Sequence, residues 1–166
     1  MMRDHLCRMA RYNRWANARL YDACEAVDDT TYHAEGSMFF GSIHGTLNHI
    51  LVGDRIWLAR ILEEPAPGLK LDDRPFSDIA TLRRAREDED RKMIDLTESY
   101  DEGGIDADVT YRMVTRPGEV TTPLHLCWLH LFNHQTHHRG QVHDRLVQTS
   151  VAPPPLDLIF YLREHE

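Results

Sequence analysis

Three sets of breakers divide this chain into stretches long enough to be helices. Pro65, Pro67 and Gly68 close one, Gly103-Gly104 another, and Pro153-Pro154-Pro155 a third. Between them, apolar residues recur at three- and four-residue steps, the period of a helix with one buried face. From Met1 to about Val27 the series is Leu6, Met9, Tyr12, Ala16, Leu20 and Cys24, and Asp28-Asp29-Thr30 ends it. From about Phe39 to Leu62 it is Ile43, Leu47, Ile50, Leu51, Trp57, Leu58 and Ile61, with Asp54 set in the middle of the stripe. Ser77 or Asp78 caps a third helix reaching about Tyr100, on Ile79, Leu82, Met93, Ile94 and Leu96. The charged middle of that helix, Arg83 to Lys92, reads as a solvated face with intrahelical pairs. Thr122 caps a fourth helix, with Pro123 at its first position, running to about Val147. Leu156 to Arg163 follows as a short apolar segment packed on the rest.

Thr31 to Met38 is a connector. The connector before the fourth helix is the longest, roughly twenty residues between breakers. Within it, Val109 to Val114, a turn at Arg116-Pro117-Gly118-Glu119 and then Val120-Thr121-Thr122 predict a small hairpin or an extended crossover. The expected fold is all-α: a four-helix bundle over residues 1–166, one domain, with a long crossover before the last long helix.

The net charge of −8, with histidine neutral, disfavours strong nucleic-acid or anionic-membrane binding, which need a basic footprint. Cys7, Cys24 and Cys127 are odd in number, far apart and without a CxxC pair. Neither a disulfide framework nor a thiolate zinc site follows. A reducing cytoplasm is the expected compartment, and Cys24 and Cys127 are expected to be small buried residues. No signal-peptide pattern opens the chain, and no run of apolar residues is long enough to span a bilayer.

The chemistry concentrates in Asn133-His134-Gln135-Thr136-His137-His138-Arg139-Gly140-Gln141. Eleven histidines occur in 166 residues, and this helix holds the densest group. On an ideal wheel Leu124, Cys127, Leu131, Val142 and Leu146 make one face. His138 falls in the middle of it and His134 at its side, one turn apart. Two inward imidazoles at that spacing suit one borderline metal ion such as zinc, nickel, copper or iron. A third ligand must come from elsewhere. The second helix offers His44, His49 and Asp54, and spacing leaves all three open.

At this point the residues resemble a known family. Tyr12-Asn13-Arg14-Trp15-Ala16-Asn17, Gly45-Thr46-Leu47-Asn48-His49-Ile50 with Asp54-Arg55-Ile56-Trp57, the stretch from Asn133-His134 to His138-Arg139-Gly140-Gln141, and Pro155-Leu156-Asp157-Leu158 look like signatures of the DinB/YfiT-like superfamily. The resemblance implies a four-helix bundle with a divalent metal, usually zinc or nickel, on three histidines: His49, His134 and His138. It implies a metal-dependent enzyme, such as a low-molecular-weight-thiol-dependent S-transferase acting on a small molecule. The alternatives are a metal-dependent hydrolase or a non-catalytic metal-binding stress-response protein, and a homodimer is common among such bundles. Asp54 is expected to orient a ligand histidine or to pair with a cation across the bundle. His137, beside His138, is a candidate substitute ligand or flanking group. Arg139 and Gln141 are candidates for helix-end bonding or substrate contact.

Overall fold

The computed structural model describes residues 1–101, 103–113 and 117–165. Its elements are α1 (Met2–Glu25), α2 (Asp29–His33), α3 (Ile43–Ile61), α4 (Ile79–Ser99), a 3-10 turn (Gly104–Asp106), β1 (Asp108–Arg112), β2 (Glu119–Pro123), α5 (Leu124–Leu146) and α6 (Leu158–His165). The four long helices close a ring. α1 packs on α4 and α5, and α3 packs on the same two. The expected bundle and its crossover hairpin are both present, with β1 and β2 antiparallel from Asp108 opposite Pro123 to Arg112 opposite Glu119. Val114 and Arg116, read as part of that hairpin, lie outside the described residues.

Three boundaries depart from the sequence reading, and one choice it left open, the cap of α4, is resolved. The second helix begins at Ile43, not Phe39, because Phe40 and Gly41 form a tight turn with Gly41 at φ +82°. Ser42 then caps, its hydroxyl accepting from the Gly45 amide at 3.0 Å. Asp28 caps a further short helix where the first helix was expected to give way to a connector, because its side chain accepts from the Thr31 amide at 3.0 Å. Asp78, not Ser77, caps α4. Thr122 caps nothing. It pairs with Val109 in the hairpin, and α5 starts after Pro123 without a side-chain cap.

Two apolar cores stack along the bundle. One holds Leu6, Leu58, Met93, Trp128 and Leu131; the other holds Leu20, Leu47, Leu51, Leu82 and Val142. Each fully buried Leu of this kind contributes about 1.5–3 kcal/mol. Between them lies a polar layer: Asn13 and Asn17 from α1, Asp54 from α3, Arg86 and Asp90 from α4, Gln135 and Arg139 from α5, all essentially buried. Arg86 pairs with Asp54 and, at 3.1 Å, with Asp90. Gln135 donates to Asp54 at 2.7 Å, Asn17 donates to Asp90 at 3.0 Å, and Arg139 donates to Asn13 and, at 3.0 Å, to Gln135. Burial pushes the Asp54 carboxyl up to about 7 against the pull of Arg86.

This layer corrects the solvated reading of Arg83 to Lys92. Arg83–Glu87 and Arg91–Asp88 are indeed exposed intrahelical pairs at 3.0 Å, but Arg86, Glu89 and Asp90 face inward. Their positions continue the three- and four-residue steps from Leu82 to Met93. The three cysteines are buried and free; burial was expected of Cys24 and Cys127 and holds for Cys7 as well. No helix among the described residues is long and apolar enough to cross a membrane.

Candidate metal centre

α3 and α5 meet above the polar layer, and three imidazoles converge there. His49 comes from α3, and His134 and His138 come from one face of α5, a turn apart. One nitrogen from each lies within 4.8 Å of the others, and the Nε2 atoms of His49 and His134 are 3.1 Å apart. Two nitrogens bound tetrahedrally to one zinc stand roughly 3.3 Å apart, given bonds of about 2.0–2.1 Å. The donor set and spacing therefore fit a borderline divalent ion.

Hydrogen bonds fix which nitrogen two of the rings present. The His49 Nδ1–H donates to the Leu71 carbonyl at 2.7 Å, so Nε2 keeps its lone pair toward the cluster. The His138 Nδ1–H donates to Gln141 Oε1 at 2.8 Å, which presents Nε2 in the same way. Bonds of this kind orient metal-binding histidines and hold their tautomer. Burial pushes His49 down to about 4 and His134 down to about 3, and it lowers His138 as well. All three rings are thus neutral near pH 7, the form that can bind metal.

Packing holds the rings at this spacing. Phe40 stacks on His49 with centroids 3.6 Å apart and 15° between planes, and it meets His138 edge-on at 5.5 Å. The Phe40 turn is tied down by Arg74, which bonds Glu35 at 2.7 Å and the Phe40 carbonyl at 3.1 Å. Gly53 faces His134. A Cβ there would stand 2.8 Å from His134 Cε1, so the glycine permits the close approach of that ring. On the side away from Phe40, a cavity of about 340 Å³ opens directly onto His49 and His134.

The other expected participants sit elsewhere. His44 points to the Phe76 carbonyl at 2.7 Å and packs on His33. Asp54 belongs to the polar layer, bonded to Arg86 and Gln135; its cation-pairing alternative is the arrangement found. Arg139 is buried in the same layer. His137 is exposed and accepts from Gln141 Nε2 at 3.2 Å, so Gln141 bridges it to His138. Tyr12 is buried, its hydroxyl donating to the Leu156 carbonyl at 2.8 Å.

Sequence reasoning overlooked Phe40 and Leu71, and it marked Gln141 for helix-end bonding or substrate contact rather than for holding His138. Leu71 acts through its carbonyl and leaves no side-chain signal. Gln141 was legible: it lies three residues after His138, within reach on the same helix.

The DinB family model matches residues 2–166 of this chain. Protein DinB of Bacillus subtilis (strain 168) is 26% identical over 173 residues, an alignment covering 97% of this chain and 95% of that protein.

Proposed function

The chain belongs to the DinB family, and on that premise we propose that His49, His134 and His138 hold one divalent ion, zinc or nickel. We propose further that the protein is a metal-dependent enzyme of the low-molecular-weight-thiol S-transferase kind. The observation that carries this reading is the convergence of three neutral imidazole nitrogens beside an open cavity. Structural zinc sites close all four positions, whereas three ligands beside open space are the pattern of a catalytic one. A bound ion there would supply a Lewis acid able to hold a thiol as its thiolate. The residues of this chain do the rest. Leu71 and Gln141 hold two ring nitrogens in their binding tautomer, Phe40 shields one side from water, and Gly53 leaves room for His134.

The test begins with metal analysis of protein purified without chelator. About one divalent ion per chain is expected from a three-ligand site, and His49→Ala and His138→Ala should each abolish it. Full occupancy in the His49 variant would sink the assigned triad. Thermal shift with glutathione, bacillithiol, mycothiol and coenzyme A, each with and without metal, then tests the thiol half of the reading. Stabilisation by a thiol that requires the metal supports it, and no response to any of them counts against it.

A further inference from the structure

The cavity beside the histidines carries a second recognition element. Its walls away from the cluster are Ile56, Trp57, Leu71, Tyr111 and Met113, which are apolar or aromatic, together with the His130 ring, which packs on Trp57 with centroids 4.5 Å apart. One formal charge faces it, the guanidinium of Arg60, and no carboxylate lines it among the described residues. In a chain of net charge −8 that is a local reversal of sign. Arg60 is held in place: its guanidinium carbon lies 4.5 Å from the Trp57 ring centroid and 4.8 Å from that of Tyr111. Its one hydrogen bond among the described residues is a long one, 3.4 Å to the Arg112 carbonyl. No ion pair to Arg60 occurs among the described residues, although Arg55, five residues earlier on α3, has Glu89 at 3.3 Å.

A second cavity, of about 400 Å³, shares Ile56, Arg60 and Tyr111 with the first, and it is there that Glu63, Glu64 and Glu119 appear. Arg60 thus stands where the inner chamber meets the outer one. Arg60 is seven residues beyond Gly53, which faces His134, so its Cα is about 10 Å further along the α3 axis. A ligand in the inner chamber would meet the histidine cluster at one end, aromatic walls along its length and a stacked guanidinium at the other.

We infer that this inner cavity takes an organic carboxylate with an apolar or aromatic body, anchored through Arg60 between Trp57 and Tyr111. A guanidinium stacked on two rings is oriented at little further entropic cost, and its planar fork matches a carboxylate. The inference names the substrate class for the site proposed above and rests on that reading for what the far end of the ligand meets.

The test is calorimetric titration of the full chain with a matched pair, 4-phenylbutyrate and 4-phenylbutan-1-ol, which differ chiefly in the charged end. Metal-free protein is used first, so that carboxylate coordination at the histidines does not contribute, and zinc-loaded protein second. In the metal-free wild type the acid should bind about tenfold tighter than the alcohol, the factor expected of one charge-assisted contact. Arg60→Met should abolish that gap, and Arg60→Lys should retain part of it. Raising ionic strength from about 0.02 to about 0.5 M should shrink the gap in the wild type, a readout needing no variant. Equal binding of acid and alcohol, a gap unchanged in Arg60→Met, or a gap indifferent to salt would overturn the inference. A chain that binds zinc without the gap refutes this inference alone. A chain that shows the gap but holds no metal refutes the metal reading alone.

Discussion

Gly53 and Gly140 make a matched pair of perturbations. Both are helix-interior glycines near the histidines, one in α3 and one in α5. Replacing either by Ala removes the conformational freedom of glycine and should favour the helix by about 0.5–1 kcal/mol. They differ in what the new methyl meets. At Gly140 nothing lies within 4 Å, whereas at Gly53 the His134 ring carbon is at 2.8 Å. Ordinary carbon–carbon contact is about 3.5–4.0 Å, so the His134 ring must retreat by roughly 0.7 Å or more. Metal–nitrogen bonds tolerate only about 0.2 Å. Gly53→Ala should therefore weaken zinc binding by about 10- to 100-fold or more, the range seen when ligand support is lost. Gly140→Ala should leave binding unchanged. The half-buried His134 ring can swing outward when no metal is bound, so metal-free Gly53→Ala should keep its unfolding midpoint within a few degrees of wild type. Metal-free Gly140→Ala should gain about 2–4 °C. Competition titration against a chromophoric chelator reads the affinity, and thermal unfolding with excess chelator reads the fold. Wild-type zinc affinity in Gly53→Ala would refute the close-approach reasoning.

Three further outcomes are expected. The folded-state pKa values of His49 and His134 lie near 4 and 3, below the free value of about 6.5, so between these limits the unfolded chain binds protons the folded chain refuses. Metal-free protein should lose stability as pH falls from about 6.5 toward 4, and the urea midpoint of His49→Ala should fall less steeply than that of wild type; parallel curves would contradict this. Arg86→Met leaves Asp54 and Asp90 buried without their shared cation, which should cost about 3–5 kcal/mol by urea unfolding; a loss under 1 kcal/mol would mean that water reaches the layer. Gln141→Leu removes the acceptor for His138 Nδ1 and should lower zinc affinity by about tenfold or more without unfolding the chain.

Much of this architecture was legible because helices announce themselves by period. Leu6 to Cys24 and Ile43 to Ile61 carry the stripe in plain apolar residues, and the wheel that turned His134 and His138 inward used the same arithmetic. Reading failed where a residue's role depended on a distant partner. Arg86 and Asp90 lie in a run of charges typical of a solvated face, and their burial follows only from Asp54, Asn17 and Gln135 on other helices. Asp54 was legible as an anomaly in need of a partner, a cation across the bundle among the alternatives, but not which cation: Arg86 sits in the run read as solvated. Thr122-Pro123 satisfies every local rule for a helix start, yet strand pairing with Val109 overrides it. The choice among His44, His49 and Asp54 was closed to spacing because it turns on the loop that brings the Phe76 carbonyl to His44 and the Leu71 carbonyl to His49.

The 3.1 Å approach of His49 to His134 joins positions 85 residues apart in the chain. An ion shared by those two rings acts as a removable cross-link on a loop of that length. A covalent link closing such a loop restricts the unfolded chain by about 4–5 kcal/mol. An ion bound there would thus tie α3 to α5, and the helices that frame the cavity would gain or lose that tether with the supply of metal.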